Sequence, residues 1–143
     1  MTESGFISRV DCAFPYEDEA AAHGLIVEAC GISTNACFMV AEELSRPPRS
    51  VRAPVETRLR LLAVLRQGFE HPLRDRVLAV AEAQIRGGCV GLADALALLR
   101  EIAAHRHQHC ALNIVYFACD EDVDDVLDAE CTRIRDGWAA ADT

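Results

Sequence analysis

The densest group of side chains capable of metal or acid–base chemistry lies between residues 101 and 110. This segment reads EIAAHRHQHC and holds Glu101, three histidines and a cysteine. On one continuous helix, Glu101, His105 and His109 would share a face, because residues four apart lie one above the other. Two histidines at that spacing can bind one transition-metal ion through their imidazole nitrogens. The spacing therefore suggests one hypothesis, a zinc or similar metal site at Glu101, His105 and His109.

The same segment lacks the remainder of a metal-binding signature. His107 would project from another side of the helix, so one helix cannot direct all three histidines at one ion. Zinc signatures pair two such clusters or carry a glutamate base within HExxH, and di-iron bundles repeat ExxH on separate helices. The simpler interpretation is that polar residues occupy the exposed end of a helix hairpin. Metal binding is the alternative function, with His107 as a further candidate ligand if the segment is a turn.

The seven cysteines show no redox or disulfide signature. Their number is odd, and they lie within apolar helical patterns instead of punctuating loops. No CxxC pair occurs, since Cys30 and Cys37 are seven residues apart and Cys110 and Cys119 are nine apart. Cys110 follows His109, but neighbouring helix residues project about 100° apart, so adjacency does not make a catalytic dyad. We expect reduced, buried thiols that pack as small hydrophobes.

A run of acidic residues between positions 120 and 130 is the second candidate for function. It lacks the glycine and the ligand spacing of a calcium-binding EF-hand loop. Its valines and leucine follow a helical stripe, so the acids line the solvent face of a helix near its positive N-terminal end. Like charges four residues apart cost about a few tenths of a kcal/mol per pair, a cost that binding a basic partner would justify. The residues predicted to contact that partner are Asp122, Asp124, Asp125 and Asp128.

Composition and charge limit the class of protein. The chain has 143 residues, of which 51% are hydrophobic and 26% charged, as expected for one globular domain. The formal net charge of −9 disfavours general nucleic-acid binding, which requires a basic surface. No apolar run approaches the roughly 18–20 residues of a membrane span, and the N-terminus has no signal-peptide pattern. We therefore expect a cytoplasmic protein without a membrane segment.

All fourteen basic residues are arginines, and eight of them lie between residues 46 and 76. Such a cluster can bind phosphate or a partner's carboxylates, because guanidinium suits bidentate pairing. The commoner arrangement is pairing with acids on neighbouring helices. We expect that second arrangement for most of these arginines.

Apolar residues recurring every three to four positions predict seven helical segments joined by short turns. The predicted helices span residues 17–30, 34–44, 54–69, 73–86, 92–104, 110–119 and 120–138. The clearest connector is residues 46–50, where two prolines remove backbone donors. A single helix over residues 92–118 would be about 40 Å long, so we expect a break around residues 104–108. Residues 110–119 also favour a strand, but no second strand is available to pair with them.

The sequence thus predicts an all-α fold, a bundle or short stack of six to seven helices in antiparallel hairpins. One helical domain covers residues 1–143, with residues 1–15 as an N-terminal extension and residues 139–143 as a frayed C-terminus. The long apolar stretch over residues 92–119 is expected to form the middle of the core.

For function, the prediction is a protein-binding module: an adaptor, inhibitor or immunity-type protein that covers a basic partner. The alternatives are the metal-binding protein described above and a homo-oligomeric structural subunit that buries helix 110–119 between chains. No pair of groups is visibly placed for acid–base or nucleophilic catalysis. We therefore predict no catalytic residue, and no cofactor apart from the alternative metal ion.

Overall fold

The computed structural model of the chain describes residues 2–13, 18–45, 53–119 and 124–142, which form eight α-helices. They are α1 (Glu3–Ala13), α2 (Glu19–Cys30), α3 (Thr34–Ser45), α4 (Val55–Gly68), α5 (Arg74–Ile85), α6 (Leu92–Ile102), α7 (His109–Ala118) and α8 (Asp124–Ala141). The described residues contain no strand, and their one β-type contact is an isolated bridge between Val90 and Cys119. The predicted all-α fold is confirmed, and helix rather than strand is confirmed for α7.

Helix α3 forms the centre of the fold. It packs against α1, α2, α4, α5 and α7, and every side chain over residues 35–45 is buried. The short side chains of Ala36, Cys37 and Ala41 allow neighbouring helices to approach from several sides. The stretch over residues 92–119, expected at the middle of the core, contributes α7 beside α3 but does not itself take the central position.

Local sequence signals set the starts of the helices. Asp18 precedes α2, and its Oδ1 accepts a hydrogen bond from the backbone N–H of Ala21 at 3.1 Å. Ser33 precedes α3, and its Oγ accepts from the backbone N–H of Ala36 at 3.0 Å, the hydrogen bond of an N-cap. Pro54 lies at the N-cap of α4, where its missing N–H leaves no helix hydrogen bond unmade.

The two chain ends differ from the prediction. Residues 3–13, predicted to be part of an N-terminal extension, form α1, because Phe6 and Val10 lie four apart and bury one apolar face. At the other end, α8 continues to Ala141 instead of fraying after Trp138. The carbonyl of Ala141 accepts a hydrogen bond from Arg106 Nη2 at 3.0 Å, which satisfies an acceptor that the helix end leaves open.

The predicted break between α6 and α7 is confirmed. Helix α6 ends at Ile102 and α7 begins at His109, and in the turn between them His107 has a positive φ of 65°. The predicted connector over residues 46–50, and the predicted start of the last helix at Asp120, lie outside the described residues. None of the described helices is both long enough and apolar enough to cross a lipid bilayer.

Candidate functional site

The segment over residues 103–109, which we call the histidine turn, packs around Trp138 of α8. The indole Nε1–H of Trp138 donates a hydrogen bond to the carbonyl of Ala103 at 2.9 Å. The ring of His109 lies 5.1 Å from the indole in an edge-on arrangement, and that of His107 lies 6.4 Å away. Trp138 is itself buried. The indole therefore stabilises the turn through one hydrogen bond and through packing against two histidine rings.

The histidine turn is also tied to the C-terminal end of α8 by charge. Arg106 donates to the carbonyl of Ala141, and its guanidinium lies 3.7 Å from the carboxylate of Asp142. Nε2 of His107 lies 3.0 Å from the same carboxylate. Cationic groups are favoured at this end of a helix, where the carbonyl dipoles leave partial negative charge. The turn and the end of α8 thus hold each other in place.

The three predicted metal ligands lie in three different environments. Glu101 forms an ion pair with Arg76 of α5. The ring of His105 lies 4.7 Å from that of His71, and His109 packs on the opposite side of the turn as described above. Within the part of the chain that the structure describes, no three histidine, cysteine, aspartate or glutamate side chains form a group able to hold a metal ion. The break after α6 removes the common helix face on which the predicted cluster depended.

Hydrogen bonds also occupy one ring nitrogen in each of two histidines. Nδ1 of His109 accepts from Nε of Arg135 at 3.3 Å, and a guanidinium can only donate. Nδ1 of His71 likewise accepts from the backbone N–H of Leu73 at 3.0 Å. In the neutral form of both rings the proton is therefore on Nε2. Binding a metal ion would require either ring to give up that proton or its present hydrogen bond.

The surroundings of these two histidines favour their neutral forms. Burial lowers the pKa of His71, and the neighbouring His105 lowers it further. Burial also lowers the pKa of His109, and Arg135 and His107 add to the effect, against a smaller opposing influence of Glu3. Each ring would lose solvation and face another cation on gaining a proton. Both rings therefore act mainly as flat packing groups with one hydrogen-bond acceptor.

Two asparagines within apolar helices join four helices through hydrogen bonds, a feature that sequence reasoning missed. Nδ2 of Asn35 in α3 donates to Glu3 of α1 at 2.9 Å, and its Oδ1 accepts from a first-turn N–H of α7 at 3.1 Å. Nδ2 of Asn113 in α7 donates to Glu42 of α3 at 3.4 Å, and its Oδ1 accepts from Arg135 of α8 at 2.7 Å. An asparagine inside an otherwise apolar helical run was the signal that could have identified these positions.

Cys110 has the environment of a packing residue. Its side chain is buried, and burial raises its pKa, with further increases from Glu42 and Glu3. Because the thiolate is the reactive form of cysteine, a raised pKa makes the side chain a poor nucleophile. The Nδ1 atom of the adjacent His109 is engaged by Arg135. This environment agrees with the packing role expected from the sequence.

Every arginine whose side chain is described makes an ion pair or a hydrogen bond within the chain. The ion pairs are Arg60 with Glu19, Arg66 and Arg74 with Asp75, Arg74 with Glu70, Arg76 with Glu101, Arg86 with Glu82, Arg100 and Arg133 with Glu130, and Arg106 with Asp142. Arg58 donates to the carbonyl of Leu44 at 3.3 Å, and Arg135 donates to Asn113. The described arginines thus follow the pairing expected from the sequence.

The predicted partner contacts lie at the start of α8. Asp122 lies outside the described residues, and Asp124 is the first residue of the helix. Asp125 and Asp128 follow within its first turns, and both are exposed. Neither they nor Asp136, which is exposed further along the helix, forms an ion pair with another described residue.

An exposed apolar side chain accompanies these acids. Val126 directly follows Asp125, and it is 45% exposed. We call the exposed side of α8 that carries Asp125, Asp128 and Asp136 the acidic face. Val126 lies on one flank of it, about 100° around the helix from Asp125. The carboxylates of the acidic face can accept hydrogen bonds and ion pairs from outside the chain, because no described arginine occupies them.

Comparison with known proteins gives no match: no family model, no curated protein and no solved structure resembles the chain closely enough to be aligned with it. Two regions stand out in the geometry itself. The acidic face is exposed and its carboxylates are unpaired among the described residues, whereas most polar atoms of the histidine turn are engaged within the chain. Of the two, the acidic face is the one whose carboxylates are open to groups from outside the chain.

Proposed function

We propose that this chain is a protein-binding module, an adaptor, inhibitor or immunity-type protein, that docks a basic partner through the acidic face of α8. The proposal rests on a contrast between the arginines and the aspartates of the described residues. The described arginines are engaged within the chain, whereas Asp125, Asp128 and Asp136 are exposed without an ion-pair partner among the described residues. Uncompensated negative charge attracts a basic surface, accelerates association and discriminates against acidic proteins.

Val126 gives the acidic face an apolar contact point. Specific interfaces combine a central apolar area, from which water is excluded, with a polar rim. Val126 is 45% exposed on the flank of the acidic face, so it can supply an apolar contact beside the aspartates. The partner proposed here therefore presents basic side chains next to a shallow apolar depression. Asp122 and Asp124, immediately before this surface in the chain, would extend the same contact.

The experiment places a photo-crosslinking amino acid at Thr132, an exposed position of α8. Thr132 is seven residues from Asp125 and four from Asp136, so it lies on the same side of the helix. Ala93, exposed on α6, receives the same amino acid as a positional control. After irradiation in the cells that make the protein, we expect one basic protein crosslinked to position 132 and not to position 93.

Matched charge variants then test whether the aspartates cause the binding. Asp125→Asn combined with Asp128→Asn should lower the affinity for the crosslinked protein by about tenfold or more. Glu56→Gln combined with Asp94→Asn removes the same two negative charges from the first turns of α4 and α6, and should leave the affinity nearly unchanged. Equal losses from both pairs would indicate only a general effect of net charge. An unchanged affinity in the α8 pair would refute the proposal.

The two alternative functions gain less support from the contacts described above. A metal site at Glu101, His105 and His109 would need these side chains to leave their present partners and converge. A subunit that buries α7 between chains would need a helix whose apolar residues are largely buried within its own chain, with Phe117, 48% exposed, as the exception. The acidic face requires no such rearrangement.

A further inference from the structure

Two cysteines seven residues apart in the sequence face each other at the junction of α2 and α3. Cys30 is the last residue of α2, and Cys37 lies in the first turn of α3. Their sulfur atoms are 3.8 Å apart. The short turn over residues 31–33 reverses the chain and brings the two helix ends together. We call Cys30 and Cys37 the thiol pair.

The thiol pair is close to the geometry of a disulfide bond, although both residues are thiols in this structure. The two sulfurs of a disulfide lie about 2 Å apart. The sulfur atoms therefore need to approach each other by roughly 2 Å, a movement on the scale of side-chain rotation rather than of helix rearrangement.

The two members of the pair differ in access to solvent. Cys37 is fully buried, whereas Cys30 is only partly buried. Gly68 at the end of α4 lies against the Cys30 sulfur, since a Cβ atom at this position would come within 2.5 Å of it. Because residue 68 is a glycine, no side chain at this exposed position covers Cys30. A small oxidant arriving from solvent meets Cys30 first.

We propose that Cys30 and Cys37 form a peroxide-sensitive modification site that closes to a reversible disulfide. The sulfur of Cys30 attacks hydrogen peroxide and breaks its O–O bond, which gives a sulfenic acid and one molecule of water. The sulfur of Cys37 then attacks the sulfenic sulfur, and the hydroxyl leaves with the Cys37 proton as a second water. Two thiols are oxidised to one disulfide while one peroxide is reduced to two waters.

The surroundings of each cysteine assign the order of the two steps. Burial and the nearby Cys30 raise the pKa of the Cys37 thiol, so Cys37 is poorly suited to react with peroxide directly. Burial likewise raises the pKa of Cys110 and of Cys131. Neither of those two makes a sulfur–sulfur contact with another described cysteine. The thiol pair therefore combines a partly exposed cysteine with a second sulfur 3.8 Å away.

The test exposes the reduced full-length chain to hydrogen peroxide, blocks the remaining thiols and measures the masses of the protein and its peptides. In the wild type, Cys30 and Cys37 should escape the blocking reagent. The single peptide that contains both should be about 2 Da lighter than its reduced form, the mass of two thiol hydrogens, and dithiothreitol should reverse this change. In Cys37→Ala no second thiol is available, so residue 30 should gain about 16 Da and then about 32 Da of oxygen. Cys89→Ala removes an exposed cysteine elsewhere and should leave the yield of the Cys30–Cys37 disulfide unchanged.

The outcome in the wild type decides the proposal even if Cys37→Ala does not fold. Cys30 that accumulates as a sulfinic acid in the wild type, with Cys37 still a thiol, would overturn it. The same conclusion follows if Cys89 is fully oxidised while both members of the thiol pair still react with the blocking reagent. A disulfide between Cys30 and Cys37 that forms before the other cysteines are modified would support it.

Discussion

The histidine turn and the thiol pair both lie where the chain passes from one helix to the next. They differ in whether their reactive atoms are already occupied by other groups of the chain. In the turn, most polar atoms are engaged: Ala103 accepts from Trp138, and Arg106 and His107 bind the end of α8. In the thiol pair, the two sulfurs face each other at 3.8 Å, and one of them is accessible from solvent.

The difference between these regions lies in the paths of their turns. Residues 103–108 form a longer turn whose side chains contact different neighbours. His105 packs on His71 before α5, His107 contacts Asp142 at the end of α8, and Gln108 donates to Thr34 of α3. Residues 31–33 form a tight reversal that brings two helix ends, and one side chain from each, into contact. The histidines of the longer turn therefore contact different neighbours, whereas the two cysteines on either side of the short turn contact each other.

The largest effect on the histidine turn is expected from Trp138. Trp138→Ala removes a buried indole and its hydrogen bond to Ala103, so the free energy of unfolding should fall by about 3–5 kcal/mol. Trp138→Phe keeps an aromatic ring but leaves the Ala103 carbonyl without its donor, and should cost about 1–3 kcal/mol. Chemical denaturation followed by circular dichroism measures both losses.

Truncation of an exposed apolar residue provides the control for this comparison. Val27 is 61% exposed on α2, so Val27→Ala should change the free energy of unfolding by less than about 0.5 kcal/mol. If Trp138→Ala were as mild as Val27→Ala, the indole would not support the histidine turn. The turn would then have to be regarded as loosely attached, and its histidines as available for other roles.

A smaller effect is expected at Gly68, which tests the packing around the thiol pair. In Gly68→Ala the new methyl group meets the Cys30 sulfur at 2.5 Å, and displacing it should cost about 1 kcal/mol or more. Helix propensity opposes this cost by about 0.5–1 kcal/mol. With Cys30→Ala in the same chain the sulfur is absent, so Gly68→Ala retains only its favourable effect on helix propensity. The double-mutant cycle should therefore give a coupling of about 1 kcal/mol.

Gly24 provides the matched control for that cycle. It lies within α2, and a Cβ atom there would meet nothing within 4 Å. Gly24→Ala should stabilise the chain by about 0.5–1 kcal/mol to the same extent with or without Cys30. Zero coupling between Gly68→Ala and Cys30→Ala would mean that Cys30 moves away from Gly68 without cost, and that the thiol pair is less confined than the contact indicates.

Helix positions were predictable from the sequence because the spacing of apolar residues reports one buried face directly. The segment predicted over residues 73–86 spans Arg74–Ile85 in the structure. The central place of α3 was not predictable in this way, because burial on all sides includes Glu42 and Glu43, whose charge normally indicates a solvent face. The buried position of those glutamates depends on the surrounding helices, which no local pattern specifies.

The candidate sites were predictable only where they depend on one helix. The exposure of Asp125 and Asp128 follows from the apolar stripe of α8. The contact between Cys30 and Cys37 depends instead on the direction of the chain through residues 31–33, for which spacing alone gives no rule. The predicted grouping of Glu101, His105 and His109 failed to form for the same reason, since it assumed one helix axis where the chain turns.

The smallest effect expected is a pH dependence of stability caused by His71 and His109. Folding lowers the pKa of both rings, chiefly through burial. Below the ordinary histidine value of about 6.5, the unfolded chain therefore binds more protons than the folded chain. Their contribution to stability is fully present above about pH 6.5 and is lost as the pH falls through that value. Hydrogen bonds from arginines lower the pKa values of carboxylates such as Glu19 and Glu130. The contribution of these carboxylates to stability is therefore lost only below about pH 4.5.

The melting temperature should accordingly fall on acidification from about pH 7.5 to pH 5, before the carboxylates contribute. Asparagine places an acceptor close to the position of Nδ1, so His71→Asn and His109→Asn can still accept from Leu73 and Arg135 while removing the titrating ring. The double variant should flatten the curve, whereas Val27→Ala, which removes no titrating group, should leave its shape unchanged. A slope that persists in the double variant would place the titrating groups elsewhere in the fold. The stability of the fold would then not depend on the protonation of His71 and His109.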